Sequence, residues 1–161
     1  MLILGIDPGA TTGWCSYDVG RRCVVMAGCV VGADADGIAQ EQIAWDANEV
    51  VIERPKGYGP TRPQVVDAAY VCGRLVGEIA HWGKGSVHEM TRIEVKKSLT
   101  EATHREIVVR NDASAWAALL MLHGGEGAAK KGGPLHGCKS HQRAALALVV
   151  AWAIANGQWN P

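Results

Sequence analysis

The chain has 161 residues, 48% of them apolar and 20% charged, with 16 Lys and Arg against 16 Asp and Glu. That length suits one domain, residues 1–161, with a core large enough to need no disulfide staples. Zero net charge removes the simplest sign of a nucleic-acid binder, a strongly basic chain, without excluding a local basic face; no apolar run nears the roughly 20 residues that span a bilayer.

In chain order, Leu2 to Ile6 is a continuous apolar run closed by Asp7-Pro8-Gly9, the pattern of a strand buried on both faces rather than of a targeting segment. Thr12 to Tyr17 and Cys23 to Val31 read as two further strands, turning at Gly20-Arg21-Arg22 to make an antiparallel meander. Ile38 to Asp46 suits a short helix. Glu49 to Glu53 is another buried strand, stopped near Pro55. Thr61 to His81 predicts a long helix with Pro63 in its first turn and a core face of Val65, Ala69, Cys72, Val76 and Ile79. Ser86 to Met90 is a fifth strand. Asn111 and Asp112 cap a helix carrying Ala113, Trp116, Ala117 and Leu120, and Ser140 caps a last helix running to about Asn156. Between them, Gly124 to Gly137 is a glycine- and lysine-rich loop. The pattern βββαβαβαα predicts an α/β fold, a mixed five-stranded sheet with helices on its faces. The five cysteines, at 15, 23, 29, 72 and 138, form no CxxC and read as buried free thiols of a reducing cytosol.

Two acids, Asp7 and Glu53, end two buried strands. If those strands are neighbours, both carboxylates emerge at one sheet edge, where open α/β sheets bind ligands. Paired carboxylates there favour hard cations such as magnesium or manganese. The plainer reading makes Asp7 a turn former before Pro8-Gly9 and pairs Glu53 with Arg54 or a lysine. In the last helix His141, Ala144, Ala145, Leu148 and Trp152 share one face at helical spacing, so the apolar stripe packs on the sheet and His141 stands at its top, pointing toward the acids. An imidazole there can bind a metal, act as a general base, or simply satisfy the helix end.

These residues resemble those of a known family. Gly5-Ile6-Asp7-Pro8-Gly9-Ala10-Thr11-Thr12-Gly13-Trp14 is similar to the opening signature of the RuvC-type Holliday junction resolvases. Val51-Ile52-Glu53-Arg54-Pro55 resembles the family's second acidic strand. Arg92 to Thr100 resembles its basic segment, and His141-Gln142-Arg143-Ala144-Ala145-Leu146-Ala147 its closing helix. The resemblance implies a ribonuclease-H-like fold, a homodimer, branched four-way DNA as substrate, and paired cuts made with two Mg2+ or Mn2+ ions per site held by Asp7, Glu53 and His141. It also implies a cytoplasmic protein of a bacterial or phage-infected cell. The chain departs from the family at Ala144, where many members carry a fourth carboxylate. Either this is an inactivating change, engineered or natural, or Asp7, Glu53 and His141 suffice, helped by Asp112.

Basic residues around these segments suit phosphate contacts: Arg54, Lys56, Arg62, Lys96, Lys97, Lys130, Lys131, Lys139 and Arg143, with Tyr58 on a Gly-Pro loop as a wedge at the junction centre. Lys130-Lys131 lies in the glycine-rich loop, which would settle on DNA. Three other readings compete. A catalytically inactive junction-binding protein fits Ala144. A phosphate-loop ATPase of the actin and sugar-kinase kind fits Asp7 to Gly13 but needs a second domain. A zinc site of His136, Cys138 and His141 has three ligands where a closed site wants four. In the long helix Gly73 and Gly77, one turn apart, predict either close internal packing or a dimer interface.

Overall fold

The structure, a computed structural model, describes all residues but 33, 35–36, 39–45, 56–62, 82–85 and 160–161. Five strands form one mixed sheet: β1 (Leu2–Asp7), β2 (Thr11–Asp18), β3 (Cys23–Val31), β4 (Glu49–Arg54) and β5 (Ser86–Thr91), in the order β3-β2-β1-β4-β5. The first three make the expected antiparallel meander; β4 and β5 then add in parallel beside β1. The helices are α1 (Pro63–His81), α2 (Arg92–Ala102), α3 (Asp112–Leu122) and α4 (Ser140–Ala155), with a 3-10 turn over Glu126–Ala129.

Strand side chains alternate between faces, and the core divides accordingly. Ile3, Cys15, Tyr17 and Val51 join the cluster beneath α2, α3 and α4, whereas Leu4, Ile6, Trp14, Val50 and Ile52 join the one beneath α1. Helices therefore cover both faces, as expected. By the same alternation Asp7 and Glu53 belong to the α4 face.

Two strand glycines let α4 lie directly on the sheet. A Cβ on Gly5 would overlap the Ala145 carbonyl and the Val149 side chain, and one on Gly13 would overlap the backbone of His141. The helix is packed on β1, β2 and β4 and covered by α2 and α3. As a result every residue from Ala145 to Ala153 is buried, not one stripe alone. Each large aliphatic side chain so enclosed contributes about 1.5–3 kcal/mol. On the same face of the sheet the Tyr17 hydroxyl meets His123 Nε2 at 2.7 Å, while Nδ1 of the same ring faces the Leu119 carbonyl at 2.7 Å. That carbonyl requires a donor, so Nδ1 carries the proton and the tyrosine donates to Nε2.

Several expectations change. A helix follows β5 without a loop: Thr91 caps α2, its backbone N–H and its hydroxyl both donating to Glu94 Oε2 at 2.7 Å. The buried face of α1 is Val71, Cys72, Leu75 and Ile79, with Ala69 exposed, because the sheet accepts the larger Leu75 stripe. Gly73 and Gly77 are exposed, and a Cβ on either would meet nothing within 4 Å among the described residues, which argues against internal packing as their role. The cap of α4 is Lys139, whose N–H donates to Gln142 Oε1 at 2.8 Å; Ser140 is already helical, at a left-handed φ of 37°. The glycine-rich loop is anchored: Ala128 and Leu135 are buried, and Val24 N–H donates to the Pro134 carbonyl at 2.7 Å, tying the loop to β3. All five cysteines are free, but Cys29 is exposed and Cys23 half-buried. The short helix expected at 38–46 falls largely outside the described residues, and Asp46 lies in a turn. No helix among the described residues is long and apolar enough to cross a membrane.

Candidate active site

Strand register brings the two acids together. Ile6 pairs with Ile52 in the parallel β1–β4 ladder, so the next residues, Asp7 and Glu53, sit side by side on one face at the carboxyl ends of their strands. Asp7 also pairs with Gly13 across the β1–β2 ladder, and Gly13 admits the first turn of α4. His141 is thereby placed with Nδ1 3.6 Å from Asp7 Oδ2.

A group that the sequence reading did not single out lies between the acids. Arg92, the first residue of α2, points its guanidinium into the cluster: Nε is 3.2 Å from Glu53 Oε1, Nη2 is 3.9 Å from Asp7 Oδ1, and Nη1 is 3.8 Å from Asp112 Oδ1. The signal was present as Thr91-Arg92-Ile93-Glu94, the capping-box spelling of a helix start; placing a helix there puts Arg92 at the mouth of β4 and β5. Asp112 comes from the first turn of α3, capped by Asn111.

Burial dominates the electrostatics. It pushes Glu53 up to about 7, against the pull of Arg92 and with a further push from Asp7. Asp7 is also raised by burial, with Arg92 and His141 drawing it back. Burial opposes the charge of Arg92, but Glu53, Asp112 and Asp7 together hold its pKa above the ordinary value. One buried and one largely buried carboxylate whose charge is this costly are a natural seat for a cation.

Asp7 opens on a cleft of about 760 Å³ lined also by the Pro8–Thr11 turn, Arg92, Asp112, Trp116, His141, Arg143 and Ala144, whereas Glu53 faces an adjoining groove on the other side of Arg92. Trp116, expected only as part of a helix's apolar side, is half-buried here, with the Arg143 guanidinium 4.2 Å from its ring centre. Arg143 also donates from Nε to the Cys138 carbonyl at 3.2 Å.

Of the predicted basic residues, Arg143 lines this cleft and Lys96 the groove beside Glu53. Arg54 is exposed and paired with Glu89 at 3.6 Å. Lys97 faces a separate groove near Trp152; Lys130, Lys131 and Lys139 are exposed. Lys56, Tyr58 and Arg62 lie outside the described residues.

Among the described residues no three His, Cys, Asp or Glu side chains form a group that could hold a metal ion as placed. That removes the zinc reading of His136, Cys138 and His141. For Asp7, Glu53 and His141 the reason is visible: Arg92 stands between the two acids. The Asp7–His141 side carries one carboxylate oxygen and one imidazole nitrogen, donors that fit one hard divalent cation completed by water and phosphate oxygens. A second ion finds no donor at Ala144 and a guanidinium at Glu53, so the residues present do not fit two.

The fold matches solved structures along its whole length. Thermus thermophilus RuvC in complex with a Holliday junction substrate superimposes with a TM-score of 0.67 at 14% identity, over 99% of this chain and 97% of that one. A second Thermus thermophilus RuvC structure gives 0.66 at 16% identity, over 99% and 98%. No family model matches the chain, and no curated protein matches it either. The likeness is one of fold: a RuvC-like, ribonuclease-H-like mixed sheet.

Proposed function

We propose that this protein is a metal-dependent endodeoxyribonuclease that cuts branched DNA, with the four-way junction as its substrate. The observation that carries this reading is the placement of Asp7 and Glu53 side by side at the carboxyl ends of parallel strands, with His141 3.6 Å from Asp7, in a RuvC-like fold. One of the structures with that fold holds a Holliday junction.

A divalent ion bound here would polarise the scissile phosphate and lower the pKa of water. The chain's own residues do the rest. Asp7 holds the cation. His141, half-exposed and 3.6 Å from Asp7, would hold that cation from the cleft side and so help to orient the attacking water. Arg92 and Arg143 face the phosphodiester, whose charge grows in the transition state. Trp116 offers a ring on which a base beside the cut can stack, since stacking needs no particular base. Lys96, Lys130, Lys131 and Lys139 supply phosphate contacts that set affinity rather than cutting.

Symmetric cutting of two strands needs two sites at fixed spacing, which a two-fold dimer provides. Val66, Tyr70, Gly73 and Gly77 form one exposed stripe on α1, and its glycines would let a second backbone approach closely. That stripe is our choice for the dimer contact.

The deciding experiment is cleavage of a synthetic four-way junction beside linear duplex, in Mg2+ and in Mn2+. Paired nicks confined to the junction, and lost in Asp7→Asn with junction binding retained, are expected. Tight junction binding with no nick in either metal would favour the second reading, an inactive junction binder, which the absence of any donor at Ala144 supports.

A further inference from the structure

We propose that Arg92 is a built-in cation that takes the place of a second divalent ion, so that the site holds one exchangeable ion, at Asp7 and His141. This rests on the metal-dependent nuclease reading. The two oxygens of Asp7 face different partners: Oδ2 lies 3.6 Å from His141 Nδ1, and Oδ1 lies 3.9 Å from Arg92 Nη2. The Oδ2 side is open to a metal. The Oδ1 side, between Asp7 and Glu53, is already filled with positive charge, because the same guanidinium reaches Glu53 at 3.2 Å and Asp112 at 3.8 Å.

Arginine suits this position for reasons that lysine does not share. Its planar fork presents five donors in fixed directions and stays charged at any working pH. It can therefore address three carboxylates from one point. The backbone beneath it is fixed as well: Arg92 follows Thr91 directly, and the reciprocal Thr91–Glu94 cap sets the start of α2 against the end of β5. A divalent ion entering between Asp7 and Glu53 would meet that guanidinium at contact distance; Arg92 is 47% exposed, but the acids it faces are only 12% and 15% exposed, so the repulsion there is only partly screened. The other ligand such an ion would want is missing, since position 144 carries alanine. Ala144 and Arg92 are thus two halves of one arrangement: a carboxylate fewer, and a fixed cation in place of a mobile one.

The test counts ions. Mn2+ is titrated into the free protein and bound ions are counted by electron paramagnetic resonance, which separates isolated ions from spin-coupled pairs. The expected result is one uncoupled Mn2+ per chain, lost in Asp7→Asn. Arg92→Gln should raise the count to two with a coupled spectrum, and Arg92→Lys, which keeps the charge, should leave it at one. A coupled pair in the wild type overturns the inference while leaving the nuclease reading intact. So does a folded Arg92→Gln protein, checked by circular dichroism, that still binds one. Failure of the wild type to bind any Mn2+ overturns both. If Arg92→Gln does not fold, the wild-type count alone decides.

Discussion

Gly13 and His141 share a space that has no room for a strand side chain: a Cβ on Gly13 would fall 2.5 Å from the His141 carbonyl carbon and 2.6 Å from its Cβ. Because Gly13 is also the cross-strand partner of Asp7, the missing side chain is what sets imidazole against carboxylate. The backbone of the helix, not a flexible linker, fixes that distance.

Gly13→Ala should therefore displace the first turn of α4. Overpacking of this kind costs about 1–3 kcal/mol, so urea denaturation should show a modest loss. Cleavage should fall much further, by about 100-fold or more, because small misplacements at a reacting centre are that costly. A variant that cuts at the wild-type rate would show that His141 takes no part.

Glu53→Gln should stabilise the metal-free protein at alkaline pH. The folded value, about 7, lies above the ordinary 4.5, so the ionised carboxylate is the costly form. That cost is full above pH 7, fades as the pH falls from 7 to 4.5, and is gone below. For a side chain only 15% exposed the gain at pH 8 should be about 2–3 kcal/mol. Thermal melts in chelator should show a higher midpoint for the variant at pH 8 and equal midpoints at pH 4. Equal midpoints at both would mean that Arg92 fully compensates the buried charge.

Ala144→Asp places a carboxylate one turn beyond His141, on the wall of the same cleft. It should strengthen metal binding at the Asp7–His141 side and lower the Mg2+ or Mn2+ concentration needed for half-maximal cleavage by about tenfold, the effect of roughly 1.4 kcal/mol. An unchanged metal requirement in a folded variant would mark this as a site built without that acid.

Gly73→Ala and Gly77→Ala should each stabilise the monomer by up to about 1 kcal/mol, since both glycines lie in a helix interior and a Cβ there meets nothing within 4 Å among the described residues. Gly73→Leu or Gly77→Leu should instead weaken self-association, seen by sedimentation at micromolar concentration, and with it paired cutting. A wild type that sediments as a monomer yet makes symmetric paired nicks would remove α1 as the dimer contact.

The strands that end in Asp7 and Glu53 were legible because each is a continuous apolar run closed by breaker residues; that they are parallel neighbours stood only as a condition, which the β1–β4 register meets. Arg92 was not legible, although its segment was noticed. An exposed arginine at a helix start looks like any solvated cation until the capping box places it over two buried acids. Trp116 was hidden for a similar reason: an aromatic at helical spacing reads as core, and only the position of α3 beside the cleft reveals its half-open ring. The shift of the α1 face toward Leu75 depended on which stripe the sheet would accept, a matter of packing rather than period. The anchoring of the glycine-rich loop hinged on one leucine, Leu135, among residues whose composition argues for freedom.

The enclosure of α4 from Ala145 to Ala153 also bears on motion. Its amide hydrogens have no local route to solvent, so they should exchange with deuterium only when the whole domain opens. The histidine that faces Asp7 thus rides on this enclosed helix, in its exposed first turn. An active site mounted in this way has little slack of its own. Adaptation to a bent or branched substrate falls to the surrounding surface and to the DNA, while the spacing of imidazole and carboxylate lasts as long as the fold itself.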